Sequence, residues 1–176
     1  RSLRNLLEHQ RIHKSFEICG IISSNPTALG VSIAREHEID VYCEKFKGSS
    51  EASIDLCHWL EEKKPNLIAL AGFLKRFPTK FKSPELNQIK IINIHPSLLP
   101  AFKGENAVKD AIDYGVKIAG CTTHLVDLEV DCGKILMQES VVVQENDDYE
   151  SLAAKILEKE HQILPISLNN LCKGLS

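Results

Sequence analysis

Three continuous apolar runs separated by amphipathic stretches leave this chain few folds. The runs are "FEICGIISS" (16–24), "NLIALAG" (66–72) and "IKIINIHP" (89–96). Between the first two lie a helix-like stretch, "ALGVSIAREHE" (28–38), and a short strand at "DVYC". A second helix, "SEASIDLCHWLEEKK" (50–64), follows, with Ser50 as its N-cap and Pro65 as its stop. Leu3, Leu6, Leu7 and Ile12 give residues 2–13 one apolar helical face. Strands that are apolar throughout, rather than alternating, are buried on both sides. Alternating with helices, they predict an α/β fold: a mostly parallel sheet with helices on both faces.

From about residue 105 the pattern changes. "ENAVKDAIDYG" predicts a helix capped by Gly115. "IAGCTTHLVD" (118–127) and "GKILMQESVVVQ" (133–144) predict two strands joined by an acidic loop, and so an antiparallel pair. Residues 147–174 predict a long C-terminal helix, capped by Asp147 or Asp148 and ended by Gly174. The sequence shows no internal repeat and no domain boundary, so residues 1–176 are expected to form a single domain.

A chain of 176 residues is long enough for one substantial core. The net charge is -3, with both signs interspersed, and no basic stripe points to nucleic acid. No apolar run approaches the roughly 20 residues that span a bilayer, and "RSLRNLLEHQRIHKS" lacks the apolar stretch of a secretory signal. None of the six cysteines forms a CxxC pair or shares zinc-site spacing with a histidine. Reduced thiols in a cytoplasmic protein, with neither membrane nor nucleic acid as partner, are therefore expected.

The polar residues of "KIINIHPSLLPAFKG" (90–104) need a reason. Ligands of parallel sheets bind beyond the carboxyl ends of the strands. Asn93 and His95 lie at such an end and share parity, so they point to one side. Either alone could simply satisfy backbone groups; together they suggest chemistry. An asparagine amide donates to a developing oxyanion, and a histidine moves protons near neutral pH. Pro96 and Pro100 hold that end rigid. Asp131, in "DLEVDCG", is either a turn aspartate or the carboxylate that positions an imidazole. His124, within an apolar strand, reads as a buried supporting residue. Lys75 and Arg76 are either solvated linker charges or face an anionic ligand. His9, His13, His37 and His58 are expected to face solvent. No phosphate-loop, dinucleotide, nucleophile-elbow or HExxH motif is present, and no metal site is expected.

"NIHPSLLPAFKG", followed by "GCTTHLVDLEVDCGKILMQE", resembles the 10-formyltetrahydrofolate-dependent formyltransferases, as do "AGFLKRF" and "EKEHQILP". The resemblance implies a Rossmann-like sheet and a folate co-substrate, with no metal. It implies formyl transfer from 10-formyltetrahydrofolate to the primary amine of glycinamide ribonucleotide, a step of de novo purine (IMP) biosynthesis. The chain is then expected to act on small molecules as a monomer or homodimer. The catalytic residues implied are Asn93, His95 and Asp131, with His124 behind them. Folate contacts fall on Leu74, Lys75, Arg76, Phe77, Asn93, Val126, Asp127 and Val130. Ribonucleotide contacts fall on Gly72, Pro96 and Glu160.

The family pattern begins earlier than this chain does. It implies a first strand and a Gly/Ser/Asn-rich phosphate loop ahead of Arg1, so the sheet is expected to show a gap or an open edge. A second departure is "GSSE" at 48–51, where family members often carry a ligand-binding arginine. Within the family, the deformylase motif reads His-His-Ser-Phe against His95-Pro96-Ser97-Leu98 here. The methionyl-tRNA enzyme carries a further C-terminal domain. Sugar N-formyltransferases share the Asn/His/Asp set, and a folate-binding fragment without turnover is the non-catalytic alternative.

Overall fold

The computed structural model describes residues 1–73 and 75–174. Its helices are α1 (Ser2–His13), α2 (Leu29–Glu36), α3 (Ile54–Lys63), α4 (Ala107–Tyr114) and α5 (Tyr149–Lys173). Its strands are β1 (Ile21–Ser23), β2 (Val41–Cys43), β3 (Leu67–Leu70), β4 (Lys90–His95), β5 (Ile118–Leu125) and β6 (Ile135–Val142). The chain clusters into two compact units, residues 1–91 and 92–174. The α/β fold expected from the sequence is present, with its long C-terminal helix.

In the first unit β1 and β2 pair in parallel, from Ile21 opposite Val41 to Ser23 opposite Cys43. Helix α2 buries Val31, Ile33 and Ala34, and packs against both strands. The helix-like spacing of 50–64 starts later than the sequence suggested. Ser53, not Ser50, is the N-cap of α3, its Oγ accepting from the Leu56 N–H at 3.1 Å. Ser50 is drawn into a bridge instead: its carbonyl accepts from Thr79 N and Lys80 N, beside the Glu51–Lys80 pairing. Lys64 takes the left-handed conformation at the end of α3, just before Pro65.

The first apolar run also yields less strand than expected, because only Ile21–Ser23 finds a partner. Upstream of it, Phe16 stacks on His9 at 5.7 Å, which leaves His9 half-buried rather than in solvent. Among the described residues β1 and β2 pair only with each other, and β3 belongs to a different ladder. Ala69, in the middle of β3, is exposed.

In the second unit β4, β5 and β6 are antiparallel, so antiparallel pairing extends one strand beyond the pair read from the sequence. Gly115, at φ 77, closes α4 in a conformation that glycine adopts at little cost. Asp148 and Ser151 form a reciprocal cap at the start of α5: Asp148 Oδ1 accepts from Ser151 N at 2.8 Å, and Ser151 Oγ from Asp148 N at 3.0 Å. Helix α5 packs against β5 and β6. It buries Leu152, Ile156, Ile163, Leu164 and Leu168, each worth roughly 1.5–3 kcal/mol of burial. A hydrogen bond of 2.7 Å between Thr123 Oγ1 and Ser167 Oγ fixes the helix to β5.

Candidate active site

Strand pairing brings the polar residues together. Asn93 is the cross-strand partner of His124, and His95 of Thr122. Directly opposed residues present their side chains on one face, so β4 and β5 offer Asn93, His95, Thr122 and His124 side by side. The loop after β5 then returns Asp131 to this face. Asp131 sits at φ 53, a left-handed conformation that aspartate tolerates better than most residues.

Asp131 lies between the two histidines. Its Oδ2 is 3.4 Å from His95 Nδ1, its Oδ1 is 3.4 Å from His124 Nε2, and the side chain is 7% exposed. The Gly104 N–H donates to Oδ2 at 2.9 Å. Burial opposes the carboxylate charge. The contacts with His124, the Gly104 N–H and His95 outweigh it and bring the Asp131 pKa down to about 2.

The partners of each ring show how its protons are used. His124 Nδ1 lies 2.9 Å from the Leu125 carbonyl, which can only accept, so Nδ1 carries a proton. When protonated, Nε2 donates toward Asp131 Oδ1, 3.4 Å away, and in the neutral ring it accepts from the Asn93 amide, 3.2 Å away. That bond orients the Asn93 side chain and leaves its second N–H available. His95 Nε2 lies 2.8 Å from the Phe102 carbonyl and so donates to it. His95 Nδ1 faces the Asp131 carboxylate. Both faces of the ring therefore meet acceptors, and only the doubly protonated ring donates to both. The cluster offers an oriented amide donor beside an imidazole held against a carboxylate, which suits stabilisation of a tetrahedral oxyanion at a carbonyl carbon.

The cluster thus comprises Asn93, His95 and Asp131, which the sequence singled out for chemistry, together with His124, which it read as a supporting residue. Pro96, half-buried, follows directly on β4. Val126 is half-buried, while Asp127 and Val130 are exposed on the loop that carries Asp131. Glu160, half-buried on α5, is raised by burial to a pKa of about 7. In the first unit Gly72 follows β3 at φ 68, and Lys75 and Arg76 are exposed. Phe77 is buried against Phe46 and Phe73, at 5.6 and 5.5 Å between ring centroids. Leu74 lies outside the described residues.

Three contributors escaped the sequence reading: the Phe102 carbonyl, the Gly104 N–H and the Thr122 side chain. Only the "KG" turn signal at 103–104 hinted at any of them. Lys103 and Cys132 add a link between the two loops, Lys103 Nζ donating to Cys132 Sγ at 2.9 Å.

A Formyl transferase family model matches residues 2–168. The chain belongs to this family. It is 34% identical over 161 residues to a phosphoribosylglycinamide formyltransferase of Haemophilus influenzae, covering 90% of this chain and 75% of that protein. It is 33% identical over 177 residues to a trifunctional purine biosynthetic protein adenosine-3 of Bos taurus, covering 98% of this chain. The chain spans only 17% of that bovine protein and 11% of its Gallus gallus counterpart, to which it is 44% identical over 115 residues. Among solved structures, the phosphoribosylglycinamide formyltransferase of Anaplasma phagocytophilum superposes with a TM-score of 0.86 at 39% identity, covering 98% of this chain and 82% of that one.

Proposed function

We propose that this chain transfers the formyl group of 10-formyltetrahydrofolate to the primary amine of glycinamide ribonucleotide, in de novo purine biosynthesis. The observation that carries the proposal is the Asn93–His124–Asp131–His95 cluster, within a chain whose relatives include phosphoribosylglycinamide formyltransferases. The amine nitrogen forms a bond to the formyl carbon, whose carbonyl becomes an oxyanion. Asn93 donates its free amide N–H to that oxygen. His95, held by Asp131 and the Phe102 carbonyl, assists charge stabilisation there. The bond from the carbon to the folate N10 then breaks. The amine loses one proton and N10 gains one, with His95 and Asp131 assisting the relay.

The same reading gives folate contacts to Leu74, Lys75, Arg76, Phe77, Val126, Asp127 and Val130. Gly72, Pro96 and Glu160 contact the ribonucleotide, and residues 1–176 serve as one catalytic domain. Six cysteines outside any disulfide suit a reducing cytoplasm. No helix among the described residues is long and apolar enough to cross a membrane.

The test is release of tetrahydrofolate from 10-formyltetrahydrofolate, with and without glycinamide ribonucleotide. It is run on this chain. Release that requires the ribonucleotide supports the proposal. Release without any amine indicates transfer to water, and release only with an amino sugar indicates a different acceptor; either outcome overturns it.

A further inference from the structure

His95, Thr122 and Gln138 form one row across β4, β5 and β6. Thr122 is fully buried, and every hydrogen-bonding position of its hydroxyl is used. Oγ1 donates to the Ser97 carbonyl at 2.6 Å. It accepts from Leu99 N at 3.1 Å and from Gln138 Nε2 at 3.0 Å. Gln138 Nε2 also donates to the Leu99 carbonyl at 2.9 Å. Ser97 Oγ reaches forward to the Ala101 carbonyl at 2.6 Å. Thr122 therefore ties down the turn that leaves β4. The residue that ends this turn, Phe102, sits at φ 51 and places its carbonyl 2.8 Å from His95 Nε2.

We propose that Thr122 is a positioning residue: through the 97–101 turn its hydroxyl sets the Phe102 carbonyl against His95 Nε2 and so fixes the orientation and proton placement of that ring. The inference deepens the function proposed above and rests on it for its kinetic consequence. Its structural consequence stands alone. A turn crossing from β4 toward α4 has no sheet ladder to fix it, and a carbonyl displaced by a fraction of an ångström no longer matches a bond of this length. A hydroxyl with one donated and two accepted bonds is the most economical anchor available at a buried strand position. Valine has the same shape and branching but offers neither donor nor acceptor, so it isolates the hydroxyl.

The experiment compares Thr122→Val with Thr122→Ser, reading the ring 15N shifts of His95 by NMR together with kcat and KM. Thr122→Val is expected to move the His95 Nε2 resonance and lower kcat about tenfold or more, with KM for both substrates within about twofold. Thr122→Ser is expected to restore the His95 signals and most of kcat. Gln138→Met, which removes the two bonds that Gln138 Nε2 makes at the rim of the network, is expected to shift the same resonance by less and keeps the test decisive if Thr122→Val does not fold. Unchanged His95 signals in a folded Thr122→Val protein overturn the proposal. So does a Thr122→Ser variant as impaired as Thr122→Val, since shape rather than the hydroxyl would then matter. Shifted His95 signals in a chain that turns over no substrate support the positioning role and count against the proposed function alone.

Discussion

The Asn93 amide nitrogen lies 3.2 Å from His124 Nε2, and the two residues face each other across β4 and β5. His124 is 2% exposed and its other nitrogen is committed to the Leu125 carbonyl, so Nε2 is fixed in place between Asn93 and Asp131. In the proposed reaction it bears on Asn93, whose amide it orients. His124→Leu is expected to lower kcat roughly 10- to 100-fold, the range typical of losing the partner that orients a reacting group, while KM changes little. Once Asn93 is alanine, His124→Leu is expected to cost much less. Additive losses in that double-mutant cycle, measured by steady-state kinetics, would count against the coupling.

Asp131 bears on stability and on the proposed function alike. Its pKa of about 2 lies below the usual carboxylate value, so the charged form stabilises the fold at pH values above that usual value. The contribution is lost as pH falls toward 2. Asp131→Asn is expected to unfold more readily at pH 7 by about 2 kcal/mol. The gap between the two proteins should narrow between about pH 4 and pH 2. Urea unfolding across that range measures it. A gap that stays constant with pH would show that the carboxylate charge is not its source. Turnover is expected to fall with the same substitution, because Asp131 is the carboxylate that faces His95.

Much of this was legible in the sequence, and the illegible parts share a cause. Apolar runs mark β3, β4 and β5, and parity along β4 is enough to place Asn93 and His95 on one face. His124 announced itself as a polar residue in an apolar strand. Its pairing with Asn93 depends on the register of β4 against β5, which no local pattern encodes. The approach of Asp131 depends on a loop that returns with φ 53 and is held by Gly104 N. The cap of α3 was misplaced from Ser53 to Ser50 because both serines suit the role, and a long-range bridge to Lys80 decided between them. The phenyl ring of Phe102 is conspicuous in a sequence, but its carbonyl is the part that touches His95.

Gly133 controls where Asp131 lies. A Cβ built at Gly133 would sit 1.7 Å from the Leu125 carbonyl oxygen, which is backbone and cannot rotate away. The same part of the chain carries the Leu125 N–H to Lys134 carbonyl bond of 2.9 Å that closes the loop. Gly133→Ala must therefore shift the loop and move Asp131 from both histidines. Turnover is expected to fall by roughly 100-fold, as for other displacements near 1 Å at a reacting group. Thermal unfolding is expected to drop as well, and Gly30→Ala, where a Cβ meets nothing within 4 Å, serves as the comparison. Near-normal kcat in Gly133→Ala would show that the loop tolerates the shift.

Glu160 carries a cost that the fold alone does not require. Burial on α5 raises its pKa to about 7, so the ionised form is disfavoured in the folded protein. The sign is opposite to that of Asp131. Folded Glu160 holds its proton more tightly than the unfolded chain does, so stability is greatest below the usual glutamate value and falls as pH rises toward 7. Glutamine imitates the protonated acid at every pH. Glu160→Gln is therefore expected to stabilise the protein at pH 8 by up to about 3 kcal/mol and to change little at pH 5, as measured by urea unfolding. If Glu160 contacts the ribonucleotide, the same change is expected to raise KM for that substrate roughly tenfold and leave KM for the folate near normal. A carboxylate kept in an unfavourable place because a ligand needs it is the usual exchange of stability for activity. Equal stabilisation at both pH values would remove the burial explanation, and an unchanged ribonucleotide KM would remove the functional one.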